Sequence, residues 1–105
     1  MPTQDEIRRV TQVLADTFRP QKIILFGSRA YGTPRLDSDA DLLVILPFDC
    51  SPYRMTVNML NSIGDVRGFD LVPRRPQDVK TWYESGDPMM REAIDKGVVL
   101  YEAAA

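Results

Sequence analysis

Three aspartates at alternate positions, Asp37, Asp39 and Asp41, lead into the apolar run "LLVIL", and Gly27-Ser28 follows an earlier apolar run, "KIILF". In an extended chain successive side chains alternate between faces, so Asp39 and Asp41 point one way while Ala40 and Leu42 point the other. Carboxylates held a few ångströms apart repel, and protonation of one or capture of a cation relieves the repulsion. Paired strand aspartates with a third acid on a neighbouring strand, here Asp70, suit two divalent ions about 3.5–4 Å apart, the arrangement that clamps the attacking and leaving oxygens in phosphoryl transfer. Gly27 lets backbone N–H groups approach a phosphate closely. Ser28 adds a hydroxyl at the start of an expected short helical turn, whose dipole favours anions.

Composition narrows the chemistry further. There is no histidine, which removes Ser-His and Cys-His catalysis and leaves any metal to carboxylate oxygen, hence a hard cation such as Mg²⁺ or Mn²⁺. Cys50 is the only cysteine, so no internal disulfide forms. The thirteen basic residues are dispersed and the net charge is -2, which argues against stand-alone nucleic-acid binding. No apolar run reaches the length of a signal-peptide core or a membrane span, so a cytoplasmic protein without a membrane partner is expected. At 105 residues, with no repeat or linker, a single domain over residues 1–105 is expected.

The elements that must position these groups are legible from periodicity. Thr3 and Glu6 have capping-box spacing, and Ile7, Val10, Leu14 and Phe18 recur at helical intervals, which predicts a helix over residues 3–18. "KIILF" and "DLLVIL" read as two strands in the middle of a sheet, the second apolar on both faces. Ser51-Pro52 opens a second helix through Met55, Met59, Leu60 and Ile63 to Gly64. "GFDLVP" predicts a third strand, "PQDVKTWYES" a short helix, Asp87-Pro88 the start of another ending at Gly97, and "VVLY" a last strand. The fold class is therefore α/β (α+β), a mixed central sheet flanked by helices. The connection between the first two strands is too short for a crossover helix, which predicts an antiparallel pair, whereas the second and third are joined by a full helix and should run parallel. Asp70 then lies level with Asp41, and Gly27, Ser28, Asp39, Asp41 and Asp70 converge at one end of the sheet.

Competing motifs fail on spacing. "GSRAYGTP" resembles a phosphate-binding loop through Gly27 and Gly32, but Thr33-Pro34 stands where Lys-Ser/Thr is required. "DSDADL" begins like an EF-hand, yet Leu42 occupies the turn glycine's place and Phe48 that of the bidentate glutamate. Taken singly, each element also has an ordinary explanation. Asp37-Ser38-Asp39 suits a solvated turn, and Asp70 an outward-pointing edge position. Gly27 and Gly32 suit plain turns, Arg29 faces either phosphate or solvent, Trp82 and Tyr83 suit core or rim, and the methionines suit packing. Asp41 is different, because a charge entering a strand apolar on both faces needs a partner.

Gly27-Ser28, ten residues, then Asp39-Ala40-Asp41 resembles the G-S-x10-D-x-D signature of the nucleotidyltransferase superfamily related to DNA polymerase beta, with Asp70 matching its third carboxylate. "GSRAYG" and the ending "REAIDKGVVLYE" are most similar to the minimal nucleotidyltransferase branch, and the resemblance covers nearly the whole chain. It implies a nucleotidyltransferase fold in which Asp39, Asp41 and Asp70 are the catalytic and metal-binding acids. Asp39 and Asp41 would hold Mg²⁺ or Mn²⁺ bridging to a nucleoside triphosphate, Gly27 and Ser28 would bind its phosphates, and Asp70 would complete the second metal site and help deprotonate the acceptor hydroxyl. Tyr31 departs from the basic residue many members carry there.

The resemblance also implies a reaction and a partner: transfer of AMP from ATP to a tyrosine hydroxyl of a HEPN-type toxin, with this chain as the antitoxin. The rival reading is a non-catalytic antitoxin module that neutralises its partner by occlusion, with oligomer formation open in either case. An aminoglycoside-type transferase is a further enzymatic rival that would call for an additional acceptor-binding domain. The acceptor is expected to be held by another polypeptide over the mouth of the site, near residues 32–37.

Overall fold

The computed structural model describes residues 2–27, 30 and 39–104. Helix α1, Gln4–Phe18, begins at N-cap Thr3, whose side chain accepts from the Glu6 amide while the Glu6 carboxylate accepts from the Thr3 amide, so the anticipated capping box is formed in full. Strand β1 is Lys22–Phe26 and strand β2 is Ala40–Ile45. Helix α2, Pro52–Ile63, has Ser51 as its N-cap and proline at its first position. Strand β3 is Phe69–Arg74, helix α3 Pro76–Glu84, helix α4 Pro88–Lys96 and strand β4 Val98–Glu102.

The four strands form one mixed sheet in the order β3-β2-β1-β4. β1 and β2 are antiparallel, and β2 and β3 are parallel around the α2 crossover, as the connection lengths predict. β4 adds to the free edge of β1 in antiparallel fashion, with a register shift between Ile23 and Ile24. β1 and β2 thus occupy the centre, where apolar side chains on both faces are covered.

Each face carries two helices. Ile7, Val10 and Leu14 of α1 and Met55, Met59 and Ile63 of α2 pack on Ile23, Leu25, Leu42, Val44 and Leu71. Leu60, read from its spacing as part of the α2 core stripe, is 41% exposed, because the helix turns it beyond the contact with the sheet. On the other face Val79 of α3 and Met90 and Ala93 of α4 pack on Ile24, Phe26, Leu43 and Ile45. Gly97, at the end of α4, lies so close to β1 that a Cβ there would strike the Ala93 carbonyl and the Ile24 Cγ2 methyl. No helix among the described residues is long and apolar enough to cross a membrane.

Candidate active site

The register of the sheet brings the candidate residues together. Phe26, the last residue of β1, pairs with Asp41, and Asp41 is level with Asp70 on β3. Level residues on paired strands share a face, so both carboxylates stand on the α3/α4 side, the face to which Leu43 and Ile45 also belong. Asp39 lies two residues ahead of Asp41, and the Ala40 amide donates to the Gly68 carbonyl at 2.8 Å, which ties the approach to β2 to the approach to β3. Both backbones enter the site end of the sheet together.

Gly27 follows β1 directly with φ of +80°, a conformation that L side chains rarely adopt. A Cβ on Gly27 would fall on the Asp41 Oδ2 atom, so the absent side chain is what allows this carboxylate its position. The Ala30 amide donates back to the Gly27 carbonyl at 3.0 Å. Ser28, Arg29, Tyr31, Gly32 and Asp37, with the helical turn expected at Ser28, lie outside the described residues.

Asp39 and Asp70 are exposed, and Asp41 is half-buried. Burial first, then the negative charges of Asp70, Asp39 and Glu92, pushes the Asp41 carboxyl up from its ordinary 3.8 to about 6. Among the described residues, no three acids are gathered closely enough to form a ready cage for an ion. The donor chemistry nonetheless fits a hard divalent cation: the groups are carboxylate oxygens, and the crowding felt at Asp41 is what a cation would relieve. Asp39, Asp41 and Asp70 would hold it.

Glu92 was not singled out from the sequence. It is an exposed glutamate on α4, and nothing in its neighbourhood of the chain distinguishes it from a solvated helix charge. The available signal is indirect: Met90 and Ala93 define the buried stripe of α4, and Glu92 stands on its flank.

A sequence model of the family described as polymerase beta nucleotidyltransferase matches residues 8–105. The chain belongs to the polymerase beta nucleotidyltransferase family. Solved structures carry the same fold as this nucleotidyltransferase chain. One is spectinomycin adenyltransferase AAD(9) from Enterococcus faecialis with ATP and spectinomycin, which matches with a TM-score of 0.70 and 16% identity over 99% of this chain and 58% of that one. The present chain therefore spans little more than half of that neighbour's length. A toxin–antitoxin structure with AMP-PNP matches at a TM-score of 0.60 and 20% identity, covering 94% of this chain and 74% of the other. The MntA–HepT toxin–antitoxin structure matches at 0.55 and 17%, over 96% and 74%. At such identities the likeness establishes the fold. Comparison with curated protein sequences gave no match.

Proposed function

We propose that this nucleotidyltransferase uses Mg²⁺ and ATP to transfer AMP to a hydroxyl of a partner protein, as the antitoxin of a pair with a HEPN-type toxin. The observation that carries the reading is the placement of Asp41 level with Asp70 and beside Gly27, at the end of the sheet where Asp39 also enters. The toxin–antitoxin structures among its fold neighbours, one of them with AMP-PNP, support the choice of partner and nucleotide.

In this reading Asp39 and Asp41 bind from β2, Asp70 from β3, and the bare backbone at Gly27 lets the triphosphate lie against the end of β1. What bound Mg²⁺ would supply is neutralisation of the phosphate charge. Asp70, exposed on an edge strand, would accept the proton of the incoming hydroxyl. The acceptor oxygen forms a bond to the α-phosphorus, the bond from that phosphorus to the bridging oxygen breaks, and pyrophosphate leaves with the electron pair.

Co-purification with a HEPN-type toxin encoded beside it, incubation with Mg²⁺ and each labelled nucleoside triphosphate, and intact-mass measurement of both chains test the proposal. The expected result is AMP on a tyrosine of the toxin, absent with chelator. Efficient transfer to a free small molecule with no mass change on the toxin would refute the partner. Equal neutralisation by a triple Asp39→Asn, Asp41→Asn, Asp70→Asn variant would favour occlusion.

A further inference from the structure

The two edges of the sheet are built differently. β3, at one edge, carries Pro73, which lacks a backbone N–H, and the exposed charge of Asp70, two devices that blunt an edge against further pairing. β4, at the other edge, has no proline and no charge before its last residue, Glu102. Val98 and Val99 within it are 44% and 49% exposed. Among the described residues no strand pairs with the outer side of β4, which leaves a row of backbone donors and acceptors open beside two exposed β-branched side chains.

The register with β1 assigns the faces of β4. Val98 pairs with Leu25 and Tyr101 with Ile23, so both stand on the α1/α2 face, and Leu100, beside the register shift, also packs against the core there. Val99 pairs with Ile24 and stands on the α3/α4 face. The Glu102 carboxylate lies 3.4 Å from the Lys22 ammonium, whereas Lys96, at the end of α4, has no ion pair among the described residues.

A second copy laid antiparallel against this edge, Val99 opposite Val99, sets Val98 opposite Leu100 and Lys96 opposite Glu102, each contact occurring twice by symmetry. Opposite residues share a face, so apolar side chains meet apolar ones from the same face and each lysine meets a carboxylate. Centring the pair on Leu100 instead would set Val98 against Glu102, and Val99 against Tyr101 from the other face. The Val99 register also has room, because a groove lined by Ile7, Thr11, Gln12, Leu100 and Tyr101 runs between α1 and β4 on the face where Val98 of the second copy would lie.

We propose that β4 is a self-association edge, at which two copies of this chain pair antiparallel about a twofold axis through Val99 and join their four-stranded sheets into one. The antiparallel arrangement points the two acidic ends in opposite directions, so each site stays open to its own partner.

Because the shared edge is short, dimerisation is expected in the micromolar range, and sedimentation of the chain alone from about 1 to about 100 μM should show its mass rise from one copy to two. Val99→Lys sets two like charges opposite each other at the axis and should weaken association roughly tenfold or more, with a thermal melt like wild type. Lys96→Glu and Glu102→Lys should each weaken it alone, and mixing these two variants should recover dimers, since the mixture places opposite charges across both ends of the edge. A wild-type chain that stays single at about 100 μM would overturn the proposal. So would a dimer that persists in Val99→Lys, or charge variants that do not recover on mixing. A single wild-type chain that loses co-purification with the toxin on Val99→Lys would assign the edge to the toxin instead.

Discussion

Asp41 and Asp70 stand level on neighbouring parallel strands, two carboxylates presented to one face from adjacent backbones. Neither residue alone distinguishes a catalytic acid from a polar strand end. Their juxtaposition sets the pair apart, because burial and then the charge of Asp70 raise the Asp41 carboxyl, and no cation among the described residues forms an ion pair with either. This relationship governs how the site should respond to proton, cation and substitution.

The first expectation is a pH dependence of stability. The Asp41 carboxyl titrates near 6 in the folded chain against an ordinary 3.8, so its favourable contribution is complete below about pH 4 and is lost as pH rises through about 6. Asp41→Asn should therefore stabilise the metal-free chain at about pH 7.5 by about 1 kcal/mol, after allowance for solvent screening of a half-buried group, and make no difference below about pH 4. Urea unfolding with chelator across this range measures the difference. An unchanged midpoint at about pH 7.5 would mean that the carboxylate is not strained by its surroundings.

Gly27 offers a second test. Gly27→Ala must place a Cβ on the Asp41 carboxylate and adopt φ of +80°, so it should cost roughly 1–3 kcal/mol and weaken nucleotide binding. Denaturant melts together with ATP calorimetry would show both losses. Wild-type behaviour in both would mean that the backbone relaxes freely at the end of β1.

Binding and chemistry should separate between the two strands. Asp39→Asn combined with Asp41→Asn should abolish the Mg²⁺ dependence of ATP binding. Asp70→Asn should retain part of the binding while transfer falls about 10²–10⁴-fold, the usual range for a lost proton acceptor. Calorimetry paired with single-turnover assays measures both. Equal losses of affinity and rate in Asp70→Asn would deny it a separate role.

The seating of α4 can be probed away from the acids. Gly97 has an ordinary φ of -70°, so Gly97→Ala is strained only by contact with the Ala93 carbonyl and Ile24. Overpacking of this kind should cost about 1–3 kcal/mol. Thermal melting of the variant tests it, and a melting temperature equal to wild type would show that α4 shifts without penalty.

Much of this protein is determined locally and can be read from the chain. The capping box of Thr3 and Glu6, the apolar stripes of the helices and the proline and glycine boundaries are set within a few residues, so the elements are found within a residue or two of their expected limits. Connection length settles strand direction, and direction with register is enough to bring Asp41 level with Asp70. What only the tertiary structure decides are relations between segments distant along the chain. That β4 joins β1 at its free edge, and that Gly97 seats α4 against Ile24, depends on which surfaces remain uncovered once the central strands pair. The surroundings of Asp41 follow from that packing: Gly27 makes room for its carboxylate, and burial in the folded sheet, with the charges of Asp70 and Asp39, raises it. Periodicity can assign Asp41 to a strand end, but how deeply it is buried is set by long-range packing that leaves no local pattern in the sequence.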